Sequence, residues 1–143
     1  YCAYQERSHH DVVQKMCDLK IPQDWRDDML VTLMQENFLN EERFARAYVR
    51  GKFRIKLWGR QKIAAELYKH KVNRSSITVA LAEEIGEEPY RENIRLLIHR
   101  KLRTISGDPD SFTLRNKLLS YLTGKGYETG PVLEELSEIM KDI

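Results

Sequence analysis

The amino-acid sequence predicts an all-α fold, organised as an elongated tandem array of three-helix repeats. Apolar residues recur at spacings of three and four along the chain, with almost no strict alternation, which indicates amphipathic helices rather than strands. Six apolar positions also recur three times at nearly constant offsets, which is typical of repeat proteins. We expect the repeats to stack, because a lone unit of about 50 residues buries too little apolar surface to be stable.

Periodicity and capping residues place the helices in order along the chain. We expect them near residues 8–19, 22–37, 40–54, 59–70, 74–86, 88–105, 109–124 and 130–142. Ser8 and Asp11 form a capping-box pattern at the first helix, and Asn40 offers a side-chain acceptor at the third. Asp108-Pro109 and Gly130-Pro131 each place a proline near the first turn of a helix.

The internal repeat relates three pairs of consecutive helices. In the first helix of each pair, the matching positions are Val12, Met16 and Ile21; Ile63, Leu67 and Val72; and Leu118, Leu122 and Tyr127. In the second helix they are Trp25, Met29 and Leu33; Ile77, Leu81 and Ile85; and Val132, Leu136 and Met140. A further helix precedes the second and third pairs, whereas only a stub precedes the first. We therefore expect three repeats, at residues 1–39, 40–87 and 88–143, the first truncated at its N-terminus.

Equivalent turns in the three repeats differ in sequence. Gly126 fits the left-handed conformation that commonly ends a helix, whereas Lys20 and Lys71 stand at the matching positions. A lysine in that conformation costs about 1 kcal/mol, so we expect these two helix ends to close differently or more loosely. Gly59 precedes the fourth helix, where it is either an N-cap or a break between two basic helices.

The chain carries a run of positive charge at residues 43–62, the basic segment. All eight of its charged residues are basic, although the whole chain has a net charge of only +2. They are Arg43, Arg46, Arg50, Lys52, Arg54, Lys56, Arg60 and Lys62. On a helix at 40–54, the four arginines fall in one stripe about 80 degrees wide, opposite Phe44 and Val49. We expect them to point into solvent towards an anionic partner, either phosphate backbone or an acidic protein groove. The alternative is a solvated face whose arginines pair within the fold.

Composition and motifs argue against several other classes. Charged residues make up 32% of the chain, and no stretch approaches the length of about 18 apolar residues that a membrane span requires, which predicts a soluble, cytoplasmic protein. Cys2 and Cys17 offer no disulfide framework or metal spacing, and the histidines form no H-x-x-x-H pair. No glycine-rich phosphate loop follows a strand. We therefore expect no metal, no nucleotide cofactor and no enzymatic activity. Because the first residue is Tyr1 rather than Met, we also expect a missing N-terminal piece.

Residues 39–72, LNEERFARAYVRGKFRIKLWGRQKIAAELYKHKV, resemble the central signature of the bacterial RecX family of regulatory proteins. The family pattern is an L-N-D-E-R-F-A segment, then a Gly, an I-x-x-E-L helix and a K-G-I turn. The matching residues are Leu39, Asn40, Glu42, Arg43, Phe44, Ala45, Gly59, Ile63, Glu66, Leu67 and Val72. Glu41 replaces the usual Asp, and Lys71 replaces the usual Gly of the turn. The family consists of tandem three-helix repeats, so the resemblance extends over essentially the whole chain.

The resemblance implies a modulator of the RecA recombinase, acting in DNA recombination, DNA repair and the SOS response. Such a protein binds in the groove of the RecA filament on DNA and opposes filament extension, ATP hydrolysis and strand exchange. Its implied partners are the recombinase filament and, weakly and in a salt-sensitive way, single- and double-stranded DNA. The basic segment would supply the binding residues of a monomer that contacts no membrane. Two alternatives stay open: a non-specific DNA-binding helical protein without a recombinase partner, and an α-repeat scaffold for another protein.

Overall fold

The computed structural model describes residues 1–2 and 5–141, and the regular elements in that part of the chain are all α-helices. They are α1 (His9–Asp18), α2 (Gln23–Gln35), α3 (Glu41–Arg54), α4 (Arg60–Lys69), α5 (Arg74–Glu84), α6 (Glu87–Leu102), α7 (Ser111–Gly124) and α8 (Thr129–Met140). The prediction of an all-α fold is confirmed, and the expected helix bounds agree to within three residues. The expected end of the last helix at residue 142 lies outside the described residues.

Side-chain caps fix the starts of α1 and α3. The Asp11 N–H donates to Ser8 Oγ at 3.0 Å, and the Ser8 N–H donates to the Asp11 carboxylate at 3.2 Å, which is the predicted capping box. At α3, the Arg43 N–H donates to Asn40 Oδ1 at 2.9 Å. Both helices therefore begin where the local sequence predicts.

The start of α7 differs slightly from the expected one. Asp110 Oδ1 accepts a hydrogen bond from the Thr113 N–H at 2.7 Å, so Asp110 is the N-cap. Pro109 therefore lies before the helix and not in its first turn. At α8, Pro131 does lie in the first turn, as predicted.

The three equivalent helix ends close in the same way. Lys20 and Lys71 have φ angles of 58° and 61°, in the left-handed region that Gly126 also occupies at 96°. After each turn an N–H donates to the carbonyl five residues earlier: Ile21 to Met16 at 3.0 Å, Val72 to Leu67 at 3.2 Å and Tyr127 to Leu122 at 3.1 Å. The expectation that the lysine turns close differently is wrong. At Lys71, the burial of Val72 and the hydrogen bond from the Val72 N–H to the Leu67 carbonyl offset the backbone strain.

The chain folds into two compact units. The first unit comprises residues 1–51 and 64–84, and the second comprises residues 52–63 and 85–143. Helices α3 and α4 therefore contribute residues to both units. The three predicted repeats divide the chain differently, and their boundaries stay a prediction.

The core of the first unit includes a cluster of Val12, Met16 and Leu39. Further buried residues of this unit come from α3, α4 and α5: Phe44, Ala45, Val49, Leu67, Ile77 and Ala80. Burial of Phe44, Ala45 and Val49 fixes which face of α3 points inward, as the helical period predicts. The first three arginines of the basic segment consequently lie away from this apolar face.

Helix α2 buries less apolar surface than α5 and α8, the second helices of the other two predicted pairs. Trp25 is 65% exposed and Met29 is 40% exposed, whereas Ile77 and Val132, the positions that match Trp25, are buried. Instead, α2 packs through residues such as Leu30 against the core cluster of the first unit. Positions that match in the sequence repeat are therefore not equally buried in the structure.

In the second unit, α6, α7 and α8 pack against one another. Their buried side chains include Ile94, Leu97, Ile98, Leu118, Leu122, Val132 and Leu136. Phe53, Tyr90 and Tyr127 add an aromatic layer, with ring centroids 6.3 Å apart for the first pair and 5.1 Å apart for the second. The Tyr127 hydroxyl donates to the Leu57 carbonyl at 2.9 Å, which ties the segment before α4 to this core.

Two glycines let backbone segments of the second unit touch. The Gly59 N–H donates to the Lys125 carbonyl at 2.8 Å, and the Gln61 N–H donates to the Gly126 carbonyl at 2.9 Å. A Cβ added at Gly59 would lie 2.4 Å from backbone atoms of Gly126 and Tyr127. Gly59 is thus a helix start held against a neighbouring turn, and not a break that lets two helices splay.

No helix within the described residues is both long and apolar enough to cross a membrane. Among the same residues, no group of three or more His, Cys, Asp or Glu side chains is placed to hold a metal ion.

Candidate functional site

The basic segment begins on α3 in the first unit, where two of its arginines are ion-paired. Arg43 Nε donates to the Glu6 carboxylate, and Arg43 Nη2 donates to the Asn37 carbonyl at 2.7 Å. Arg50 donates to both oxygens of Glu84 at 3.1 and 3.2 Å, and this hydrogen bonding raises the pKa of Arg50 above its usual value. The alternative of arginines that pair within the fold therefore applies to these two, while the binding role expected of them stays a prediction.

Arg46 lies between them in sequence and is different. No carboxylate of the described residues lies within ion-pair distance of its guanidinium, which is half-buried. It lines a cavity of about 180 Å³ together with Ser75, Ser76, Glu42 and Glu83. Of the three basic-segment arginines in the first unit, Arg46 is thus the one that forms no ion pair with a described carboxylate.

In the second unit, Arg60 is part of the fold's own packing. Its Nη1 donates to Glu128 Oε1 at 2.9 Å, and its guanidinium lies 3.9 Å from the ring centroid of Tyr90. Nη2 makes a longer contact of 3.4 Å to Glu87. Burial is the largest influence and lowers the pKa of Arg60, but the hydrogen bonds and negative charge of Glu128, Tyr90 and Glu87 together outweigh burial and raise that pKa above its usual value. The binding role expected of Arg60 stays a prediction, and binding an anion would compete with this ion pair.

The remaining basic residues of the second unit are more accessible. The Lys52 and Lys62 ammonium groups lie 4.8 and 4.5 Å from the ring centroid of Trp58, so the indole holds two cations. Arg54 and Lys56 are exposed, and no carboxylate of the described residues pairs with either. This part of the chain therefore presents positive charge to solvent beside an aromatic ring.

The structure thus separates the eight residues of the basic segment into three groups. The ion-paired residues are Arg43, Arg50 and Arg60; the residues on Trp58 are Lys52 and Lys62; and the residues without a carboxylate partner in the described chain are Arg46, Arg54 and Lys56. Sequence reasoning missed the counter-charges because they lie 27 to 68 residues away along the chain.

The fold and the surface define an all-α protein with two compact helical units and a basic segment in which some charges are ion-paired. A family model described as "RecX, second three-helix domain" matches residues 40–81. These residues include the whole basic segment and the turn at Lys71.

Relatives named "Regulatory protein RecX" match most of the chain. The one from Clostridium acetobutylicum is 32% identical over 77% of this chain, and the one from Halalkalibacterium halodurans is 30% identical over 94%. The chain spans about half the length of these curated relatives, 51% and 50%. The crystal structure of RecX from Lactobacillus salivarius matches with a TM-score of 0.87 at 22% identity, covering 96% of this chain and 88% of that one, a likeness of fold. The chain belongs to the RecX family, a family of regulatory proteins.

Proposed function

We propose that the chain regulates a RecA-type recombinase in the cytoplasm by binding the recombinase filament on DNA and opposing its extension, ATP hydrolysis and strand exchange. The observation that carries this proposal is the similarity to regulatory RecX proteins over 94% of the chain. The accessible positive charge of the basic segment supports it, because both partners of such a complex, DNA phosphate and an acidic protein groove, are anionic.

Binding would depend on a smaller set of residues than the basic segment as a whole. Arg46, Arg54 and Lys56 have no carboxylate partner in the described chain, so forming a contact with an anion costs them no existing ion pair. Arg43 and Arg50 would first have to release Glu6 and Glu84. We therefore assign the primary contacts to the unpaired residues, and a supporting role to the ion-paired ones.

Inhibition would follow from occupancy of the filament, without chemistry on the DNA or on ATP. A monomer bound across neighbouring recombinase protomers would link them or block the next protomer from adding. Since rearrangement between protomers accompanies ATP hydrolysis and strand exchange in this proposal, one bound chain would slow both. No catalytic residue, metal or cofactor is required.

The test measures ATP hydrolysis by a purified RecA recombinase on single-stranded DNA as the chain is added. Replacing Arg46, Arg54 and Lys56 by Gln should raise the concentration for half-inhibition by roughly tenfold or more, because each lost ionic contact costs several-fold. The matched control replaces Lys69, Arg74 and Lys141 by Gln, which removes the same charge from other exposed positions.

Three outcomes separate the proposal from its rivals. Equal loss of inhibition in the variant and the control would mean that net charge, and not this surface, matters. Tight binding to naked DNA with no preference for recombinase-coated DNA would favour the non-specific DNA-binding alternative. Failure of the unaltered chain to bind or inhibit the recombinase would refute the proposed function and favour a scaffold for another protein.

A further inference from the structure

The second unit contains another basic surface, remote in sequence from the basic segment. The end of α6 and the middle of α7 line an open cavity of about 610 Å³, which we name the Tyr121 groove. Two lysines, three hydroxyl residues and an aromatic ring line it: Lys101, Lys117, Thr104, Ser106, Ser120 and Tyr121. None of the described residues that line it is acidic, although the chain as a whole is nearly balanced in charge.

The lysines of the Tyr121 groove differ from other cations of α6. Arg91 and Arg95, earlier on the same helix, are each held by two or more glutamates, with closest contacts of 2.7 Å. Lys101 and Lys117 form no ion pair with any carboxylate in the described part of the chain. The fold therefore neutralises one end of α6 and leaves the other end positive.

Tyr121 brings a third lysine to the same place. The Lys101 Nζ lies 4.9 Å from the Tyr121 ring centroid, and the Lys125 Nζ lies 5.8 Å from it. Two ammonium groups over one ring repel each other, and an anion bound beside them would relieve that repulsion. Contact with the half-buried ring restrains the two ammonium groups, which reduces the entropy lost when such an anion binds.

The groove's chemistry fits a phosphodiester backbone. Lysine ammonium and Ser, Thr or Tyr hydroxyl groups are the side-chain donors that commonly contact phosphate and sugar oxygens. An aromatic ring among them is typical of surfaces that bind single strands, whose bases are free to stack. An open groove also accommodates a continuing polymer, whereas an enclosed pocket would suit a small anion.

We propose that the Tyr121 groove binds the phosphate backbone of single-stranded nucleic acid through Lys101, Lys117 and Lys125. This contact is separate from the basic segment and does not depend on the recombinase. In a complex on DNA it would give the chain a second point of attachment, and it would contribute to affinity without reading sequence.

The test measures binding of the whole chain to a fluorescently labelled oligothymidylate of about 16 nucleotides, a length that one small binding surface can occupy. The variant carries Lys101→Gln and Lys117→Gln, which keep most of each stem. Each single-strand phosphate contact contributes a salt slope of about 0.7, or about fivefold in affinity at 0.1 M salt. The double variant should therefore bind roughly 25-fold more weakly at that salt, with the slope reduced by about 1.4.

The matched control carries Lys69→Gln and Lys141→Gln, which remove the same charge from exposed positions outside the groove. An equal loss of affinity in this control would overturn the proposal. So would tighter binding of polyglutamate than of the oligonucleotide, since the groove would then serve an acidic protein. Loss in the groove variant alone supports the proposal, whether or not the chain inhibits a recombinase.

A second test uses the unaltered chain, so its result does not depend on whether the variants fold. Lysine acetylation followed by mass spectrometry should show slower modification of Lys101, Lys117 and Lys125 when the oligonucleotide is present. Lys69 and Lys141 should react at the same rate with and without it. Unchanged reactivity of the three groove lysines would refute the assignment.

Discussion

Replacing Gly59 by Ala tests the backbone contact that joins the start of α4 to the turn at Gly126. The new Cβ would lie 2.4 Å from backbone atoms of Gly126 and Tyr127, a distance that forces the two segments apart. Overpacking of this kind costs about 1–3 kcal/mol. Separation would also weaken two hydrogen bonds, from Gly59 to Lys125 and from Gln61 to Gly126, each worth about 1 kcal/mol.

The expected loss is therefore about 3–5 kcal/mol in the free energy of unfolding, a large part of the stability of an ordinary domain. For a chain of this size, that loss corresponds to a melting temperature lower by roughly 10–15 °C. Far-UV circular dichroism during thermal and urea unfolding measures both quantities.

The matched control is Gly51→Ala, in the interior of α3. A Cβ there meets no atom within 4 Å, so the change should stabilise the chain by about 0.5–1 kcal/mol through helix propensity alone. A Gly59→Ala loss below about 1 kcal/mol would refute the close-contact reasoning. Equal and large losses in both variants would point to a general intolerance of helix substitutions.

Two further predictions concern the stability of the chain, through the left-handed turn at Lys71 and the ion pair of Arg60. Lys71→Gly should raise the free energy of unfolding by about 0.5–1 kcal/mol, because it removes left-handed strain at φ 61°. Lys69→Gly, at the last residue of α4, should instead lower it by up to about 1 kcal/mol, because glycine relieves no strain there and disfavours the helix. Urea unfolding compares the pair. Arg60→Ala should lower the free energy of unfolding by about 2–3 kcal/mol, because it removes the contact with Tyr90 and leaves Glu128 without its cation. If the melting curve were unchanged and recombinase binding were weaker, Arg60 would be a binding residue and not a structural one.

One arginine of the family motif has a structural role in this chain. Arg43 belongs to the resembling motif and is also held by Glu6 and the Asn37 carbonyl, which fix the start of α3 against the preceding loop. An arginine of the motif can thus hold the fold together, whatever its role in binding. Reversing the charge of Arg43 would place two carboxylates together and lower stability, so loss of activity in such a variant would not identify a binding residue.

Local sequence determined where the helices lie and how α1 and α3 begin. The capping box at Ser8, the acceptor at Asn40 and the period of Phe44 and Val49 act over three or four residues, and these short-range terms need no knowledge of the rest of the chain. The same period also predicted which face of α3 would carry the arginines.

Tertiary structure alone decided which charges remain available. The pairs Arg50 with Glu84 and Arg60 with Glu128 join residues 34 and 68 apart, and no spacing rule links such positions. The left-handed lysine at position 71 is likewise tolerated because the residue after it is buried. Sequence fixes interactions within a helical turn, whereas the electrostatics of a surface depend on distances through space, which only the packed chain sets.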